Sequence, residues 1–207
     1  MRGIVLQTER SAQEFKHDSY VIGKMDHLQS KHKETYRHCV RVALLGEKLA
    51  SALNMDPLSK AKLVRGCFIH DVGKIMISNQ ILDSNKPLSA EEWDLIKQHP
   101  RFGADILLET LELEEEVIEL VLHHHERWDG KGYPHGLKGE EIPLLARVCS
   151  VVDAFDSMLA ERPYRRRKTV EEAMCELERN MGTQFDPLIV QRFIPLLNEV
   201  SIMYIFR

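Results

Sequence analysis

Positions Glu34, His38, Val42, Leu45, Leu49 and Ala52 fall three or four residues apart and line one face of an α-helix. Such a stripe is what a helix buries, yet its first two members are a carboxylate and an imidazole. The pattern recurs along the chain. Leu63, Val64, Cys67 and Phe68 run into His70-Asp71, and Val117, Leu120 and Val121 run into His124. Asp153 and Asp156 sit among Val148, Val151, Val152, Phe155 and Met158. An ionised carboxylate on so apolar a helix must be paired or bound to metal to offset its desolvation. No strand-like alternation and no internal repeat interrupts the helical spacing, so the fold class is all-α.

Local punctuation divides the helices. Asn54-Met55-Asp56-Pro57 ends the first stripe, with Pro57 suited to the first turn of the next helix. Gly73 reads as a terminator after His70-Asp71. Ser89 and Glu92 make a capping box, and further helices are expected over 102–108, 114–126, 143–159, 169–181 (Thr169 as N-cap) and 187–197. Residues 127–142, rich in Gly, Pro and charge, read as an ordered functional loop. Residues 1–27 hold Val5, Leu6, Phe15, Tyr20, Val21 and Ile22 without a strong period. They form an N-terminal extension, either a helix capping the core or the stub of a sensory region, ahead of a domain over 28–207. The Ile202–Phe206 tail fits a short strand or an interface equally.

The 207 residues, 43% hydrophobic and 29% charged, suffice for one substantial core. A net charge of -4 argues against an extended nucleic-acid surface, which needs many cation–phosphate contacts, but permits a small anionic ligand in a locally basic pocket. Cys39, Cys67, Cys149 and Cys175 lack paired spacing and read as free thiols in a reducing compartment. The start turns polar before a signal-peptide core forms, and no apolar run reaches the roughly 18 residues of a membrane span. The expected location is cytoplasmic.

Glu34, His38, His70, Asp71, His99, His124, His125 and Asp153 are the candidate metal ligands. Mixed imidazole and carboxylate donors favour iron, manganese or zinc, and there are too many for one tetrahedral ion. Clustered metals serve phosphate-ester hydrolysis. Successive residues turn about 100° around a helix, so His123, which follows Glu116 and Glu119, is assigned to the solvent side. Asp156 reads as an acceptor orienting a histidine or Arg162 as readily as a directly functional group. Lys74 lies one turn past His70, where its ammonium would meet a phosphate. Arg162-Pro163-Tyr164-Arg165 sets a rigid turn between two guanidiniums that suit phosphate oxygens. His17, His27, His32 and His135 have no partner at ligand spacing and are left as structural or surface residues.

Taken together, His70-Asp71-x-Gly73-Lys74, His99-Pro100, the stretch His124-His125-Glu126-Arg127-Trp128-Asp129-Gly130-Lys131-Gly132-Tyr133-Pro134, and Asp153-Ala154-Phe155-Asp156 with Arg162 to Arg165 resemble the HD-GYP family of HD-superfamily phosphohydrolases. The resemblance spans roughly residues 30–195 and is most specific in the Tyr133 stretch. It implies an all-α bundle with two or three clustered metals, iron first and manganese next. It also implies hydrolysis of cyclic di-GMP to linear pGpG and, in some members, to GMP. Metal ligation is carried to His38, His70, Asp71, His99, His124, His125 and Asp153, with Glu34 as the mark of three-metal members and Asp71 as the bridging ligand. Substrate contact is carried to Lys74, Tyr133, Arg162 and Arg165. Two departures are Ile77-Ser78-Asn79-Gln80, where many members have Ile-Pro, and arginine at 165, where some have lysine. Two rivals stand beside this expectation: a hydrolase of another nucleotide, and a non-catalytic cyclic di-GMP receptor acting through a partner. A homodimer or signalling partner is compatible with either.

Overall fold

Side chains just ahead of the helices fix where they start. Asp56 accepts the N–H groups of Leu58 and Ser59, with Pro57 in the first turn. Ser89 with Glu92 and Thr169 with Glu172 close reciprocal capping boxes. Each cap satisfies donors that a helix leaves orphaned, for about 1 kcal/mol. The computed structural model describes residues 19–109, 113–160 and 167–196. In order these form α1 (Ser19–Lys31), α2 (Lys33–Ala52), α3 (Pro57–Ile69), a 3-10 turn (Val72–Met76), α4 (Asn79–Leu82), α5 (Ala90–Ile96), α6 (His99–Leu108), α7 (Glu115–His123), α8 (Leu144–Leu159), α9 (Val170–Arg179) and α10 (Pro187–Phe193). No strand occurs among the described residues, and the fold is all-α as expected. No helix among them is long and apolar enough to cross a membrane.

The centre of the bundle is α8. Eleven of its sixteen residues are buried, Asp153 and Asp156 among them, so it has no solvent face of any width. Helix α2 packs on α3 and α8, and α7 packs on α3, α6 and α8. At the far end Phe155 meets Phe193 edge-to-face, ring centroids 5.2 Å apart, a geometry worth about 1 kcal/mol beyond area burial.

Several boundaries differ from the sequence expectation. Helix α1 runs through the division placed at 27/28 and buries Val21, Met25 and Leu28 against α2 and the 3-10 turn. The i, i+4, i+7 spacing of those three carries the signal, obscured by exposed Tyr20 and Ile22 beside them. Helix α6 begins at His99, three residues before the expected start, because Pro100 is tolerated in a first turn. The Ile202–Phe206 tail lies outside the described residues.

Gly73 is not a helix terminator. It lies within the 3-10 turn, and a Cβ there would sit 2.0 Å from the His99 carbonyl oxygen and 2.5 Å from the Gly103 nitrogen. Only glycine lets this turn, which follows Asp71, press against the start of α6, which carries His99. Both obstacles are backbone and cannot swing aside. Gly73→Ala is therefore expected to destabilise the protein by more than about 2 kcal/mol. Gly23, on the exposed side of α1, has nothing within 4 Å of an added Cβ, so Gly23→Ala should stabilise by about 0.5–1 kcal/mol. Urea denaturation of the two variants checks the opposite signs; a Gly73→Ala protein as stable as the parent would contradict the close approach.

Candidate metal centre

Three histidines reach the centre by the same local device. His70, His99 and His124 direct Nδ1 at the carbonyl oxygen three residues earlier, on Cys67, Ile96 and Val121, each at 2.7 Å. A carbonyl only accepts, so Nδ1 holds the proton and Nε2 presents a lone pair. The Nε2 atoms of His99 and His124 stand 3.2 Å apart. Burial pulls His70 down and, with His125 as the next cause, holds His124 well below the usual imidazole range.

Asp71 lies among them, 1% exposed. Its Oδ1 is 3.2 Å from His99 Nε2, and its Oδ2 is 3.5 Å from His70 Nε2 and 2.7 Å from the Lys74 ammonium. Burial alone would raise this carboxyl; Lys74 and the surrounding imidazoles outweigh it and hold Asp71 well below the carboxylate range. Two sets of donor atoms result, each within 4.8 Å: His38, His70 and Asp71, and His99, His124 and His125. Asp71 contributes an oxygen to the first and touches the second.

On the other side, helix α2 delivers His38 and α8 delivers Asp153. His38 Nε2 is 2.9 Å from Asp153 and 3.8 Å from Asp71, while its Nδ1 is 2.7 Å from Asp156. Burial lowers the His38 pKa, but the hydrogen bonds to Asp153 and Asp156 prevail and raise it to about 9. Asp156 is wholly buried and forked by Arg41, at 2.7 and 2.8 Å. Its carboxyl, which burial would raise, is lowered to about 2 by His38 and Arg41. Asp156 thus orients a histidine, one of the two roles open to it from sequence. Arg41, one turn beyond His38, was unassigned because its partner lies 115 residues away.

The donor set fits a metal. His70 Nε2 is buried without a hydrogen-bond partner, and Asp71 Oδ1 has no well-directed one. Two imidazole lone pairs 3.2 Å apart repel unless a cation lies between them. His38, His70, Asp71, His99, His124, His125 and Asp153 are all brought together. Glu34 is not: its side chain is 69% exposed and paired with Arg37 at 2.6 Å. The stripe is unburied at its first position, near the start of α2, so helical phase alone overestimated Glu34. Arg162 and Arg165 lie outside the described residues.

The loop over 127–142 closes the site. Tyr133 lies against His125, ring centroids 4.9 Å apart, and burial, then the charges of Asp153 and Asp71, raise its phenol pKa. Glu126, 3% exposed, accepts the N–H groups of His135, Gly136 and Leu137 at 2.7, 3.0 and 3.1 Å. Its anchoring role was missed: a glutamate after two histidines gives no local hint of three donors that lie nine to eleven residues on. Trp128 and Asp129 donate to the carbonyls of Gln184 and Thr183, tying the loop to the turn before α10. The solvent assignment of His123 is corrected: it is 5% exposed. Its helical face does point away from the ligands, but the returning loop covers that face, which periodicity within α7 cannot reveal.

The HD domain family model matches residues 24–189. A Thermotoga maritima protein named cyclic di-GMP phosphodiesterase is 35% identical over 206 residues, covering 95% of this chain and 55% of its own length. A 3'3'-cGAMP-specific phosphodiesterase of Vibrio cholerae is 35% identical over 174 residues, 83% of this chain and 33% of that protein. The solved structure of Bd1817, an HDG"Y"P protein from Bdellovibrio bacteriovorus, superposes with a TM-score of 0.67 at 25% identity, over 79% of this chain and 52% of the other. The chain spans only part of each of these longer proteins. With the family match over most of its length and this site at its centre, the chain belongs to the HD-domain family, in its HD-GYP branch.

Proposed function

We propose that this chain is a metal-dependent phosphodiesterase domain that opens cyclic di-GMP to linear pGpG. One observation carries the reading: two triads of donor atoms meet at Asp71, the arrangement expected of two ions sharing a carboxylate. His38, His70, Asp71 and Asp153 would hold one ion, and His99, His124 and His125 the other, with Asp71 between them. Imidazole and carboxylate donors suit iron, manganese or zinc, and the family resemblance puts iron first and manganese next. When bound, such ions bring the pKa of water near neutrality and offset charge on phosphoryl oxygens.

The chain's own groups supply the rest. Lys74, 20% exposed and held at 2.7 Å from Asp71, is poised to place a positive charge by a non-bridging phosphate oxygen. Tyr133 roofs His125 and would seat a base or ribose against the site. Arg162 and Arg165 are assigned to the second phosphate. Asp156 and Arg41 keep the His38 ring turned with Nε2 inward. Glu34 faces solvent, so a two-ion site and pGpG as product are the consistent pair. The free cysteines, three of them buried, accord with a reducing, cytoplasmic setting. A relative specific for 3'3'-cGAMP is as identical as the cyclic di-GMP enzyme, so both cyclic dinucleotides belong in the assay.

Protein loaded anaerobically with iron or manganese should convert cyclic di-GMP to pGpG, and turnover of 3'3'-cGAMP alone would redirect the reading. Asp71→Ala should reduce turnover by at least about a thousandfold, since both ions lose a ligand, with helical circular dichroism retained. Activity within tenfold of the parent would remove Asp71 from its role. Proton linkage supplies a second check. In metal-free protein the His38 pKa rises from 6.5 to about 9, so its stabilising contribution is complete below about pH 6.5 and is lost as pH climbs through about 9. Metal binding needs that proton gone from Nε2, so affinity for manganese should increase over the same window. Melting of chelator-treated protein and manganese titrations from pH 6 to 9.5 measure both; metal affinity that does not change with pH would contradict His38 as a ligand.

A further inference from the structure

We propose that a hydrogen bond between His123 and His135 is a staple that positions Tyr133 over His125, tuning substrate binding without contact to the metals. His123 Nδ1 faces two oxygen acceptors on Glu119, the carbonyl and a carboxylate oxygen, each at 3.0 Å. It therefore carries the proton, and Nε2 accepts from His135 Nδ1–H at 3.0 Å. Both nitrogens of this buried ring are used, and neither serves the cluster beside it.

The staple acts on the residues that carry Tyr133. Ahead of the tyrosine, Gly132 lies flush on the segment that follows α7: an added Cβ would be 2.4 Å from Arg127 N and 2.6 Å from the His125 carbonyl oxygen. Behind it, His135 is pinned twice, by its backbone N–H to Glu126 and by its ring to His123. Tyr133 is thus bracketed between two contacts to residues 123–127, the segment that includes His124 and His125. Glu126 and the Thr183–Gln184 carbonyls anchor the loop independently, and the His135 side chain is exposed. Loss of the staple should therefore loosen residues 133–137 alone.

This rests on Tyr133 contacting substrate, so the test includes a measurement that needs none. His135→Ala should speed exchange of the Tyr133 amide and of the amides at 135–137, raise the KM for cyclic di-GMP about fivefold, as one hydrogen bond lost, and leave kcat and metal content unchanged. His135→Asn, whose amide N–H stands near the Nδ1 position, should restore both readouts. Adding His123→Leu to His135→Ala should raise KM no further. Unchanged exchange in His135→Ala would overturn the staple, as would equal KM rises in the Ala and Asn variants; faster exchange with unchanged KM would overturn its bearing on Tyr133. If the parent protein turns over no cyclic dinucleotide, the functional reading fails by itself, and the exchange measurement still decides the staple.

Discussion

Imidazole lone pairs forced to face one another are the constraint on which this structure turns. His70, His99 and His124 each donate their Nδ1–H to a carbonyl three residues back, which leaves Nε2 unprotonated and turned to the interior. Two of those nitrogens end 3.2 Å apart and a third has no partner. Bound metal ions would relieve that repulsion and give the third nitrogen a partner. The helices assist, because His70 and His124 are the C-terminal caps of α3 and α7, where the macrodipole favours positive charge. Asp71 supplies the countercharge, and Lys74 with the imidazoles keeps it ionised despite burial. The apolar stripes do the folding, while the polar ends they carry inward make a site that is incomplete without metal.

Around that centre, tight backbone approaches replace side-chain bulk. Gly73 lets the turn after Asp71 touch the first residue of α6, and Gly132 lets the loop lie on residues 125–127 just past α7. Both glycines stand next to groups whose placement matters, His99 in one case and Tyr133 in the other. Further out, Arg41 forks Asp156 and Asp156 holds His38, so a buried charge network fixes one ligand ring from behind. Such a network is costly when half complete, and here it is satisfied by a bidentate pair and an imidazole.

Much of this was legible in the chain. Helical spacing placed His38, His70, His124 and Asp153 on buried stripes, and capping residues marked the starts of α3, α5 and α9. Two of the errors, His123 and Gly73, concern contacts between segments distant in sequence, and the other two are local. Phase within α7 put His123 on the solvent side, and could not foresee that the loop carrying His135 folds over it. Gly73 looked like a stop signal because its reason, the His99 carbonyl, is 26 residues away. Glu34 shares the phase of His38 but sits near the start of α2, where burial has not begun and Arg37 takes it. In α1, two exposed apolar residues hid the spacing of Val21, Met25 and Leu28.

The central claim is that two metal ions share Asp71. Anomalous scattering from a crystal of iron- or manganese-loaded protein, collected at the metal's absorption edge, tests it most directly. The account predicts two peaks, one among His38, His70 and Asp153 and one among His99, His124 and His125, with the Asp71 carboxylate between them. A single peak, or two that leave Asp71 uncoordinated, would contradict it.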